Sequence, residues 1–166
     1  MKINIFELTF ERDHYYLERS SIVEKIQVNN RTLYSKFEKI EEPPTPLLIQ
    51  QHLNRELTLA LPCSTDGTIE YLVIEYEKEP NQHFFHLIKY VLKSLEITHF
   101  YTYESSKENH IQIFIPQSHI TLEEAYRQVE KIEQTLEVKS SKRCKILPNK
   151  NLPINHNKIA LPIKKM

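Results

Sequence analysis

A chain of 166 residues with 40% hydrophobic side chains can bury the core of one compact domain, and 22 Lys+Arg against 22 Asp+Glu leave no net charge to attract nucleic acid at long range. A single glycine, Gly67, excludes Walker and dinucleotide-binding loops, whose glycines let backbone amides approach phosphate. Cys63 and Cys144, far apart, suit reduced thiols; early charges argue against a signal-peptide core and no apolar run reaches membrane-span length, so a soluble, cytoplasmic protein with no membrane partner is expected.

In chain order, residues 3–10 (INIFELTF) and 22–28 (IVEKIQV) alternate as strands. Asn29-Asn30 offers the positive φ of a two-residue hairpin turn, and RTLYSKFEKI returns as the partner strand, giving an N-terminal β-hairpin over residues 22–40. EEPPTP breaks regular structure, Pro46 opens a helix through LLIQQHLNREL, and TLALPC reads as a strand ending at the Asp66-Gly67 turn.

TIEYLVIEYE is the next strand. Behind it, from Pro80, Phe84, Ile88, Val91, Leu92 and Leu95 recur at helical spacing. HFYTYE and HIQIFI are strands joined by the turn SSKEN. Thr121 and Glu124 form a capping box, ahead of a helix striped by Leu122, Ala125, Val129, Ile132 and Leu136. KIALPI is the closing strand. The expectation is an α+β fold: residues 1–67 form a hairpin and α/β unit, and 68–166 form a β-α-β-β-α-β unit of ferredoxin-like, RRM-like type.

Alternation then assigns faces. Leu72, Ile74 and Tyr76, with Ile111, Ile113 and Ile115, should pack against both helices. The opposite face, expected to be open, carries Tyr71, Val73, Glu75 and Glu77 beside His110, Gln112 and Phe114. Because the strands of TIEYLVIEYE and HIQIFI are antiparallel neighbours in that topology, Glu75, Glu77 and His110 should cluster at one end. Paired carboxylates suit a hard divalent cation, Mg²⁺ or Mn²⁺, or are a solvated strand end. His83 and His86, three apart on a predicted helix, could share a metal, but with no matching carboxylate or cysteine they read as a polar helix flank. Lys142, Arg143, Lys145 and Lys150 offer a basic stretch for phosphate, or a solvated loop. Tyr15, Tyr16, Tyr34 and Phe37 suit base stacking or core packing equally.

The acidic strand end IEYE, the His-led strand after SSKEN (SSKENHIQIFI), and KILPNKNLP with KIALPI resemble the catalytic core of the archaeo-eukaryotic primase, or prim-pol, superfamily. DHYYLER, RTLYSKFE, PLLIQQHLNRELTLA and LPNKNLP are similar to a small, uncharacterised bacterial family with a primase-like fold, over nearly the whole chain. The resemblance implies that Glu75 and Glu77 stand at paired metal-binding aspartates, Asn151 at a third, and His110 at a nucleotide-contacting position; Lys145 and Lys150 of the basic stretch are expected to converge there as nucleotide-binding residues. It also implies a degenerate site: glutamates replace aspartates, Asn151 is neutral, and SSKEN lacks the usual glycine.

The expected function is nucleotide or nucleic-acid binding without robust polymerase activity. The alternatives are an active metal-dependent nucleotidyltransferase, and a non-catalytic interaction protein or homo-oligomer that docks through residues 22–40. An N-terminal segment covering the face of Glu75 would favour the interaction reading.

Overall fold

The computed structural model describes residues 2–79, 83–140, 144–153 and 156–166; the expected helix start at Pro80 and two of the basic residues, Lys142 and Arg143, lie outside them. The fold is α+β. Residues 3–10, expected as one strand, instead form a hairpin of β1 (Lys2–Ile5) and β2 (Leu8–Glu11), turned at Phe6 with φ 53°. The apolar phase shifts there, from Ile3 and Ile5 to Leu8 and Phe10, because a turn intervenes. β3 (Tyr15–Glu18) was not anticipated as a strand.

β4 (Glu24–Val28) and β5 (Arg31–Ser35) form the expected ribbon, with Asn29 and Asn30 both left-handed at the turn (φ 52° and 63°). The return strand does not continue as one piece. Beyond Lys36, β6 (Phe37–Ile40) leaves the ribbon to pair with β3. α1 (Pro46–Leu53) starts with Pro46 in its first turn, and the Thr45 side chain caps it by accepting from Leu48 N–H. β7 (Leu59–Pro62) pairs with β3.

The second half supplies β8 (Thr68–Glu77), α2 (Phe84–Ser94), β9 (Tyr101–Ser105), β10 (His110–Thr121), α3 (Leu122–Lys139), β11 (Lys145–Leu147), β12 (Lys158–Ala160) and β13 (Pro162–Lys165). One sheet has the order β11-β8-β10-β9-β13, the other β12-β7-β3-β6, with antiparallel neighbours throughout. KIALPI is therefore not the strand beside β8; β11 takes that place. KIALPI divides instead, β12 joining β7 and β13 joining β9. Buried Leu161 donates its N–H to Leu59 O where the chain crosses between sheets, so no single ladder can hold the whole segment.

One core joins the anticipated helix stripes to Leu72, Ile74, Tyr76, Ile111, Ile113 and Ile115. A second core lies on the other face, where Tyr71, Val73, Tyr103 and Phe114 pack against Ile3, Ile5, Leu8, Phe10, Leu59 and Leu61. The expectation of an open face is thus corrected. Tyr71, Val73 and Phe114 are too apolar to leave in water, and the N-terminal strands cover them.

Candidate functional site, a cleft at the end of the sheet

The cover stops short of the end of β8. There a cleft of about 700 Å³ is lined by Glu75, Glu77, His110 and Lys145, together with Lys107 of the β9–β10 turn and Glu18 and Phe37 of the covering sheet. It adjoins an inner chamber of about 380 Å³ that shares Glu75, Lys145, Glu18 and Phe37 and extends to Gln112, His156 and Lys158.

Register explains why these residues meet. His110 lies opposite Glu77, and Glu75 lies between Gln112 on β10 and Lys145 on β11. Glu75 is half-buried; Ser105 Oγ donates to its Oε1 at 3.0 Å, and that hydroxyl accepts from Lys107 N–H at 3.1 Å, tying the turn to the carboxylate. Glu77 is exposed. His110 Nδ1 donates to Glu108 O at 2.8 Å. Asn109 occupies the left-handed region (φ 61°) in the turn without glycine. It exchanges hydrogen bonds with Glu79, accepting Glu79 N–H at Oδ1 and donating from Nδ2 to Glu79 O, which fixes the strand end beside Glu77.

Lys150 and Asn151 lie elsewhere. β11 runs antiparallel to β8, so the chain beyond Leu147 moves away from Glu77, toward α3. Both residues line a small cavity of about 120 Å³ with Tyr126, Glu130 and Glu133, and Lys150 pairs with Glu130 at 3.7 Å. The expected convergence of Lys150 and Asn151 with the glutamates is corrected on this point.

Among the described residues no three His, Cys, Asp or Glu side chains are grouped to hold a metal. By donor type alone, Glu75 and Glu77 suit at most a single hydrated Mg²⁺ or Mn²⁺, an ion that keeps several waters and is held by one or two carboxylates plus ligand phosphates. They do not fit a three-carboxylate centre. Burial pushes the Cys144 thiol at the cleft up to about 12, which makes it a poor nucleophile.

Of the aromatic candidates, Tyr15 and Tyr16 are buried, whereas Phe37 and exposed Tyr34 face the chambers. Sequence reading missed Glu18, His156 and Lys158 as cleft residues. Lys158 lies over the rings of Tyr16 and Phe37 at 5.1 and 5.5 Å, and burial lowers its pKa. Only the crossing of β12 into the covering sheet brings it there, which no local pattern signals.

With this geometry in view, the comparisons bear on the covering layer. Residues 1–66 match a family described as a domain of unknown function (DUF1882). The match takes in β1 to β7 and α1 and stops before β8, so it carries the outer wall of the cleft and leaves the glutamates outside it. No curated protein matches the chain.

Proposed function

We propose that the cleft binds the phosphates of a nucleotide through a divalent cation held by Glu75 and Glu77, in a protein with a primase-like fold and without robust polymerase activity. The observation that carries this reading is the mixed charge of one recess: bare carboxylates repel phosphate, but beside Lys107, Lys145 and His110 they favour an anion that arrives with its metal. Support for the fold reading comes from the strand order β11-β8-β10-β9 with both helices packed on one face, the split arrangement of ferredoxin-like and RRM-like units. Among the described residues neither Glu18 across the cleft nor any other His, Cys, Asp or Glu is grouped with Glu75 and Glu77 as a third metal ligand, which favours binding over two-metal nucleotidyl transfer.

Calorimetric titration with GTP or ATP in Mn²⁺ tests it. Metal-dependent binding is expected, weakened about tenfold or more in Glu75→Gln, with no primer extension by the wild type. No binding at millimolar nucleotide with Mn²⁺ overturns it.

A second reading, docking of a protein partner or second copy through residues 22–40, is favoured by the N-terminal cover over the sheet and by the β4–β5 ribbon. Among the described residues these two strands pair only with each other, and Ile22 (54%) and Tyr34 (56%) are exposed. Deleting the ribbon should then abolish association in sedimentation while the cores stay folded; a monomer at all concentrations removes self-association.

A further inference from the structure

Gln112, which lines the inner chamber, has a buried acceptor without a partner. Gln112 is buried to 2% exposure, and its Nε2 donates to Ala160 O at 2.8 Å across the two sheets. That bond fixes the amide, since the reverse orientation would set two oxygens against each other. Its Oε1 is buried with no partner. A buried acceptor left unpaired is costly, so a group able to donate to it is favoured.

His156, also lining the chamber, has both ring nitrogens buried and unpaired. Burial and nearby Lys158 lower its pKa, so at neutral pH it offers one donor and one acceptor. Glu18 and Glu75 stand against Lys36, Lys145 and Lys158 around this chamber, so the unpaired amide oxygen and the neutral imidazole, rather than charge, distinguish what it takes. They suit an uncharged planar ring with donors and acceptors on its edge, beside the aromatic faces of Tyr34 and Phe37.

We propose that the inner chamber is the base compartment of the nucleotide site, in which the base's exocyclic amino group donates to Gln112 Oε1 and His156 reads the ring edge. The inference rests on the phosphate reading of the outer cleft. The chambers share Glu18, Phe37, Glu75 and Lys145, so a ligand with phosphates in the outer part has its base within reach of the adjoining one.

Calorimetric titration of the full chain in Mn²⁺ with matched ligands tests it: GTP against ITP, ATP against purine riboside triphosphate, and inorganic triphosphate as a phosphate-only probe. Removing the amino group in the pair whose base fits should weaken binding about tenfold, and the difference should vanish in Gln112→Leu. Nucleotides should bind more tightly than inorganic triphosphate. Equal affinities within both pairs, alongside binding of inorganic triphosphate, overturn the base compartment and leave the phosphate reading standing. No binding of any probe overturns both. If Gln112→Leu does not fold, the matched ligands on the wild type decide.

Discussion

Strand β8 carries two carboxylates that face the covering layer, and they have opposite fates. Glu70, 7% exposed, is held by Arg12, 2% exposed, in a two-pronged pair with both N–O distances 2.8 Å, and it accepts Glu11 N–H as well. Arg12 spends its remaining donors on Pro62 O, Cys63 O and Glu11 O. Both charges of the pair are matched and the carboxylate is sealed under its partner, although a cavity of about 510 Å³ lined by Lys2, Tyr71 and His119 adjoins it. Five residues on, Glu75 has Ser105 Oγ and an open cleft. The same side-chain type serves as a rivet where cover meets sheet and as a candidate ligand where the cover ends.

The largest effect should come from breaking the rivet. Glu70→Ala leaves the Arg12 guanidinium buried without its counter-charge, a loss of about 3–5 kcal/mol in urea unfolding. Replacing both, Arg12→Met with Glu70→Leu, should recover most of it, because a buried pair exchanged for packed apolar side chains is often neutral. Failure of the double variant to recover would assign the effect to the backbone carbonyls that Arg12 holds.

Next in size is His52, buried under the cover. Its Nδ1 accepts Leu59 N–H at 3.0 Å and its Nε2 donates to Leu161 O at 2.9 Å, joining α1, β7 and the crossing before β13. Burial pushes this imidazole below its ordinary value of 6.5. The unfolded chain takes up a proton near pH 6.5 that the folded chain resists, so stability is full above that pH and declines as pH falls below it. His52→Leu should cost about 1–3 kcal/mol by orphaning the two backbone groups and should flatten the pH dependence of the urea midpoint between neutrality and pH 5.

At the open end the balance inverts. Glu75→Gln should alter stability by no more than about 0.5 kcal/mol, since the amide keeps an acceptor for Ser105, yet should weaken metal-dependent nucleotide binding about tenfold or more. A stability loss as large as that of Glu70→Ala would mean that Glu75 is a second rivet.

The sealed and open ends differ also in how far the sequence announces them. Strict alternation places Glu75, Gln112 and His110 on one face, and the helix stripes fix which face that is; both readings agree with the structure. The same alternation sends Glu70 the wrong way. A register shift between Pro116 and Ile120 breaks the phase of β8, so Ile69 packs on the helix side while Glu70 meets Arg12 on the other. Arg12 lies 58 residues from Glu70, a pairing no local pattern encodes. β11 is three residues long, too short for alternation to reveal, and the exchange of β12 and β13 between sheets follows from packing around Leu161.

The smallest effect tests whether the open end is also the looser one. The β4–β5 ribbon ends near the inner chamber, which Tyr34 and Ser35 line, and its turn holds Asn29 and Asn30 in left-handed conformations. Asn tolerates that region and glycine suits it better, the Asn-Gly turn being the favoured two-residue hairpin. Glycine also frees the unfolded chain, offsetting part of the gain by about 0.4–1 kcal/mol. Asn30→Gly should therefore leave the urea midpoint almost unchanged but slow amide exchange at Ile26 and Leu33, the hydrogen-bonded pair next from the turn after Val28 and Arg31, whereas Asn30→Val, β-branched at positive φ, should speed it. Because the ribbon belongs to neither large sheet, its opening need not breach either core. If Asn30→Val instead lowers the global midpoint as Glu70→Ala does, the ribbon unfolds with the sealed end, and a loosely attached wall at the mouth of the cleft is wrong.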